Sequence, residues 1–271
     1  MPEGHTLHRV ASKLSARFGG QPTRSSSPQG RFAVEAGILD GLILDEADAY
    51  GKHLFLAFAE HTVHVHLGLA GKLTFGPGRG LESTVRWRLE TNTEMAELRG
   101  PAACRLLSAG EVDALAAGLG PDPLRADADP DVAWQRIKLS HRSIGALLMD
   151  QQVVAGVGNI YRAEVLYRQR LDPFMEGRLL RRAEWQQVWD DLVGLMRRGV
   201  EQGRIDTVRP EHEPEAMGRP PRQDPHGGEV YVYRRAGQPC LVCGTPIRKQ
   251  VLTARNLFWC PKCQRRTRRR G

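Results

Sequence analysis

A chain of 271 residues with a formal net charge of +8 is long enough to close two hydrophobic cores, or one large one. It holds no apolar run near the roughly 20 residues that cross a bilayer. Its opening, MPEGHTLHRVASKL, is amphipathic with an early acid, unlike a secretion signal or transit peptide. Membrane and secreted classes are therefore set aside. The cytoplasm is expected, and the basic excess favours a polyanionic partner, nucleic acid before membrane.

The first predicted element is a short helix, because Leu7, Val10, Ala11, Leu14 and Phe18 recur at helical spacing. Thr6 is its expected cap and Gly19-Gly20 its stop. From about 21 to 108 the pattern changes to short strands between Gly and Pro breaks, such as 53–58, 62–67 and 85–89. That density of strands predicts a sandwich or flattened barrel. Polar, proline-rich sequence at 120–130 reads as an interdomain linker. Helices are predicted at 130–139, 144–154, 159–170 and 182–202. In the last, Trp185, Val188, Trp189, Leu192 and Met196 form one apolar stripe that belongs in a core. Residues 208–228 read as a mobile loop, and 230–235 as two basic strands leading to the C-terminus. No internal repeat and no Walker-type glycine loop occurs, so no nucleotide cofactor is expected.

Three motifs carry chemistry. Cys240-x-x-Cys243 and Cys260-x-x-Cys263 flank sixteen residues that can form two strands and a turn. Two such knuckles supply four thiolates to one tetrahedral Zn²⁺. Four thiolates leave no open coordination position, so the ion is structural. Arg255 lies in the spacer, and Arg265, Arg266, Arg268, Arg269 and Arg270 follow it. Cys104 is left over and reads as a buried thiol. The second motif is Pro2-Glu3. Removal of the initiator methionine would expose a secondary amine that is partly neutral at physiological pH. Its attack on a sugar C1′ gives an iminium that sheds no nitrogen proton, an electron sink for eliminating phosphates. Glu3 is placed to move protons. The third is Gly156-Val157-Gly158-Asn159-Ile160-Tyr161, a tight turn into a helix. It is either a phosphate clamp or an ordinary helix corner capped by Asn159. His64 and His66 share a strand face, but no cysteine or carboxylate completes a metal set. His66 is expected beside a DNA-facing loop.

These motifs in this order resemble the formamidopyrimidine-DNA glycosylase / endonuclease VIII family. The resemblance runs through Met1-Pro2-Glu3-Gly4, Tyr50-Gly51-Lys52-His53-Leu54, His66-Leu67-Gly68-Leu69-Ala70-Gly71 and Leu119-Gly120-Pro121-Asp122-Pro123-Leu124. It continues with Leu148 to Tyr161, Tyr233 to Cys240 and Ala254 to Gln264. It implies an α+β architecture of three parts. These are an N-terminal helix plus β-sandwich catalytic domain at 1–119, a linker and helix–two-turn–helix domain at 120–229, and a four-cysteine zinc-finger hairpin at 230–266. A basic tail at 267–271 follows.

It implies a bifunctional DNA glycosylase / AP lyase acting on damaged double-stranded DNA as a monomer with one zinc, nucleoid-associated in a bacterium. By the same resemblance Pro2 is the Schiff-base nucleophile, Glu3 the acid that opens the sugar, and Lys52 a phosphate contact that assists elimination. Arg255 grips phosphates flanking the lesion, and Asn159 binds the DNA backbone. Leu69 wedges into the gap left by the flipped base. The chain departs from the formamidopyrimidine branch in three places. Leu98 to Cys104 stands where an Asp-Pro-Arg-Arg-Phe-Gly segment is usual, Gly145 where a lysine is usual, and His5 where Pro, Leu or Asp is frequent. These departures resemble the endonuclease VIII side, so oxidised pyrimidines are the expected substrates. The alternatives are an enzyme of the same family preferring 8-oxoguanine and formamidopyrimidine, and a zinc-dependent DNA-binding protein without catalysis.

Overall fold

A computed structural model of the chain describes residues 2–76, 80–224 and 228–265. Four of the arginines after the last knuckle and the whole basic tail lie outside the described residues. Contacts divide the chain into two units, Met1–Gly118 and Leu119–Gly271.

In the first unit the opening helix, α1 (Gly4–Phe18), starts two residues before Thr6, and Glu3 takes the cap position. Its carbonyl accepts the Thr6 N–H at 2.9 Å. Eight antiparallel strands follow: β1 (Arg24–Ser26), β2 (Glu46–Tyr50), β3 (His53–Phe58), β4 (His61–His66), β5 (Lys72–Phe75), β6 (Val85–Glu90), β7 (Met95–Arg99) and β8 (Ala103–Leu107). They form two four-stranded sheets, ordered β1-β6-β7-β5 and β2-β3-β4-β8. Alternation in β3 buries Leu54, Leu56 and Phe58. These residues share one core with Trp87, Leu89 and Leu98 of the other sheet and with Leu7, Leu14 and Phe18 of α1. The expected sandwich is therefore present. Two short helices were not expected, α2 (Ala33–Leu39) and α3 (Ala109–Ala117). The second had a legible signal: Ser108 and Glu111 cap each other reciprocally at its start.

The second unit contains α4 (Pro130–Ile137), α5 (Ile144–Leu147), α6 (Asn159–Arg168), α7 (Arg182–Gln202), the four-residue α8 (Pro214–Met217) and a terminal hairpin of β9 (Arg248–Leu252) and β10 (Arg255–Trp259). Trp185, Val188, Trp189, Leu192 and Met196 are all buried. They share a core with Tyr161, Leu166, Cys240, Leu257 and Cys260, so helices and hairpin pack around one interior.

Four expectations need correction. The helix expected over 144–154 stops after one turn: the Gln152 N–H goes to the Asp150 carboxylate at 3.0 Å instead of a carbonyl one turn back, and the turn that follows is braced by the Gln151 side-chain amide. That amide accepts from the Gly156 N–H at 3.0 Å and donates to the Val157 carbonyl at 3.0 Å. The expected linker is tied down over its first four residues, while 124–130 are half-buried or exposed. Gly120 to Pro123 are buried, Gly120 N–H donates to Gln151 O, and Ala155 N–H to Pro121 O. The loop expected over 208–228 contains a 3₁₀ turn, Pro210–His212, and α8, while 225–227 lie outside the described residues. Finally, 230–235 form no strand. Three successive amides there, Tyr231, Val232 and Tyr233, donate to the fully buried Glu164 carboxylate at 2.7–2.8 Å. The Thr207 hydroxyl supplies a fourth donor at 2.6 Å.

Candidate active site and metal centre

Within the first unit, topology gathers the expected catalytic residues at one end. The Ser15 hydroxyl accepts from Ala47 N–H at 3.1 Å, and Gly20 N–H donates to Leu44 O. The helix α1 and strand β2 are thereby paired antiparallel. Going back twelve residues from Ser15 along a helix covers about 18 Å, and advancing five residues from Ala47 along a strand covers about 17 Å. Glu3 and Lys52 therefore reach the same end of the unit. Glu3 is fully buried there, while Pro2 is half-buried. Lys52 occupies the second place of a two-residue turn between β2 and β3, with Tyr50 opposite His53. Gly51 leads that turn with φ 60°, the conformation a tight hairpin asks of its first central residue.

The exposed leucine arrives at the same end. His66 pairs with His53 and leads into the turn 67–71, where Leu69 is 60% exposed. Glycine is required on both sides of it. A Cβ on Gly68 would lie 2.8 Å from the Ala102 Cβ, and one on Gly71 would lie 2.3 Å from Leu67 O. Ala102 N–H donates to His66 O at 2.8 Å, which fixes the connection between β7 and β8 beside this turn. That connection is Gly100-Pro101-Ala102 and carries neither an arginine nor an aromatic ring.

Next to Lys52 three histidines line the outer side of the sheet. His53 Nδ1 and His64 Nε2 hydrogen bond at 2.8 Å, and the His53 ring lies 5.0 Å from that of His66. Burial, then the neighbouring His64, His66 and Lys52, lowers His53 to about 4. Burial, then Arg105 and His66, does the same to His64. His66 is shifted down by burial and Lys52. With all three histidines shifted down, the positive charge beside the cluster comes from Lys52 and Arg105. Among the described residues, the four cysteines are the one group of three or more side chains that could hold a metal ion. Cys104 is half-buried, and burial pushes its thiol up to about 12.

In the second unit Arg255 opens β10 directly after a two-residue turn, opposite Leu252. Thr253 and Ala254 both take left-handed backbone, with φ 51° and 57°, as a type I′ turn demands. Asn159, at the start of α6, is 5% exposed. Its amide faces the hairpin, donating to Asn256 O at 2.9 Å. The four sulfurs lie within 4.8 Å of one another. Cys240 and Cys263 are 3.9 Å apart, and Cys243 and Cys260 3.5 Å. Zn–S bonds of about 2.3 Å in a tetrahedron require edges of about 3.8 Å, so the quartet fits the ion. The Tyr167 hydroxyl sits 3.0 Å from Cys240 Sγ, and the Gln264 side chain ties Cys260 N–H to Leu171 O. Such outer contacts orient the ligands. Two residues that sequence reasoning missed are Glu164 and the fully buried Arg162. Charged residues inside an apolar helical pattern were the available signal, since such groups are buried only with partners.

An antiparallel sandwich with an acid and a lysine at one end, followed in the same chain by paired helices and a four-cysteine hairpin, defines a zinc-finger DNA-processing enzyme. Comparison with known proteins specifies the family. Residues 1–101 match the formamidopyrimidine-DNA glycosylase N-terminal domain, 119–209 its H2TH domain, and 237–266 the zinc finger found in FPG and IleRS. The chain is 50% identical over 271 residues to Endonuclease 8 1 of Mycobacterium tuberculosis, covering 97% of this chain and 100% of that one. It is 32% identical over 268 residues to the DNA-(apurinic or apyrimidinic site) lyase Nei2 of Mycolicibacterium smegmatis, covering 97% and 99%. The crystal structure of MutM (FPG) from Thermus thermophilus superposes with a TM-score of 0.76 at 28% identity, over 97% and 98% of the two chains. The chain belongs to the formamidopyrimidine-DNA glycosylase / endonuclease VIII family of DNA glycosylases with AP lyase activity.

Proposed function

We propose that this enzyme excises oxidised bases, pyrimidines in preference to purines, from damaged double-stranded DNA through a Schiff base on Pro2. The observation that supports the reading is the antiparallel placement of α1 against β2 with the β2–β3–β4 register, which directs Glu3, Lys52 and Leu69 toward one end of the first unit. The Pro2 amine attacks C1′ of a flipped nucleotide, and the C1′–N bond to the base breaks. Glu3 protonates the ring oxygen as the sugar opens. The cationic iminium then acidifies C2′, and loss of that proton expels the 3′ phosphate. A second elimination expels the 5′ phosphate, completing β,δ-elimination. Lys52 offsets charge on the departing phosphates. Leu69 fills the space the flipped base vacates. Arg255 and the start of α6 at Asn159 grip the backbone. One structural Zn²⁺ on Cys240, Cys243, Cys260 and Cys263 orders the hairpin that presents Arg255.

We assign catalysis to 1–119, helix–two-turn–helix binding to 120–229, the zinc finger to 230–266 and a basic tail to 267–271. The enzyme acts as a monomer without a nucleotide cofactor, in the cytoplasm at the nucleoid. The pyrimidine preference is supported by the three-residue β7–β8 connection, which has no side chain to fill a void opposite a purine lesion, and by the 50% identity to an Endonuclease 8 1. Borohydride trapping on duplexes carrying 5-hydroxyuracil or 8-oxoguanine tests both points. A covalent adduct with the mature protein and none with Pro2→Gly supports the nucleophile. Faster excision of 8-oxoguanine would reverse the substrate order, and no adduct on any lesion or abasic site would remove the mechanism.

A further inference from the structure

Arg162 is completely buried, and its guanidinium reaches three separate segments of the second unit. It donates to Gly145 O in α5 at 3.2 Å, to the Asn159 Oδ1 at the start of α6, and toward the Thr253 hydroxyl in the hairpin turn at 3.5 Å. A guanidinium can only donate, so the Asn159 atom facing it must be the oxygen. The amide nitrogen is thereby directed to Asn256 O at 2.9 Å. The two side chains hold the hairpin end at two points, Thr253 within the turn and Asn256 in β10, with Ala254 and Arg255 between. The turn needs holding, because Thr253 and Ala254 occupy left-handed backbone that a β-branched residue and alanine adopt poorly. Gly145 must be small for the arrangement to close: a Cβ there would lie 2.8 Å from Pro173 O and 3.1 Å from Leu252 Cδ2.

We infer that Arg162 is a positioning residue for DNA binding, acting through Asn159 and the 253–254 turn to fix the direction in which Arg255 is presented. The inference rests on the proposed phosphate-gripping role of Arg255. Affinity of the zinc-loaded full chain for a duplex with a tetrahydrofuran abasic analogue is measured for wild type, Arg162→Met, Arg255→Ala and the double variant. Arg162→Met should weaken binding about tenfold and flatten the salt dependence by about one unit of slope, as removal of one phosphate contact does. The double variant should bind no worse than Arg255→Ala, because both changes remove the same contact. Adding Thr253→Asn with Ala254→Gly, which suit a type I′ turn unaided, should return Arg162→Met to within about twofold of wild type. A merely structural arginine predicts multiplied losses in the double variant and no rescue, and either result would overturn the inference. If Arg162→Met loses zinc or helical content, Thr253→Val replaces it at an exposed position. That change should weaken binding about twofold to threefold with Arg255 present and not at all without it, and wild-type affinity would again overturn the inference. Wild-type affinity of Arg255→Ala alone removes the reading beneath it, a result distinct from additivity.

Discussion

Single side chains divide into those that touch DNA and those that hold other groups in place. On the proposed reading Leu69 is of the first kind. It is 60% exposed, so Leu69→Ala should leave the unfolding free energy from urea titration within about 0.5 kcal/mol of wild type while slowing excision from duplex DNA. Equal slowing on a free single-stranded lesion would contradict a wedge role. Arg255→Ala should likewise lower lesion processing with zinc content and helical signal unchanged, since it removes no metal ligand. Glu164 is of the second kind. Its fully buried carboxylate satisfies three backbone amides and one hydroxyl. Glu164→Ala strands those donors and should cost about 3–5 kcal/mol, readable as a lowered denaturation midpoint. A loss under about 1 kcal/mol would mean that water replaces the carboxylate.

At the scale of elements, local pattern sufficed wherever a segment's partners were its own neighbours. The stripe from Trp185 to Met196 specified α7, and the spacer between the two knuckles specified β9 and β10, because helical periodicity and a short hairpin are local properties. Pattern failed where the partner came from far along the chain. Val230-Tyr231-Val232-Tyr233 alternates like a strand, yet its amides are claimed by a carboxylate some seventy positions earlier. The helix expected over 144–154 failed for a local reason instead, the Asp150 carboxylate taking the Gln152 N–H. The proposed catalytic residues were legible as motifs, Pro2-Glu3 and Gly51-Lys52, but their placement toward one end of the first unit depends on the antiparallel arrangement of α1 against β2, which no motif encodes. The hairpin is the element most dependent on its ion. Cys260→Ser should release metal and weaken DNA binding together, and full zinc occupancy by elemental analysis would count against the quartet.

Across the whole molecule, charge and burial set the response to solution conditions. A chain of net charge +8 that neutralises several phosphates should lose affinity at least about a hundredfold between 50 and 200 mM salt; a flat titration would argue against backbone gripping. Acid should destabilise the first unit. His5, His53 and His64 sit near 4 when folded, chiefly through burial, against an ordinary 6.5. Between those values the unfolded chain binds more protons, so stability is complete above about pH 7 and falls as pH drops toward 4. After solvent screening each histidine should contribute about 1 kcal/mol to that loss at pH 5. A urea midpoint unchanged from pH 7.5 to 5 would show that these rings are open to water. The segment beside Glu164 adds a kinetic signature. Amide protons of irregular loops ordinarily exchange with deuterium in seconds, but those of Tyr231, Val232 and Tyr233 are sealed against a buried carboxylate. They should exchange only when the second unit opens as a whole, which makes three residues outside any helix or strand its most durable isotopic record.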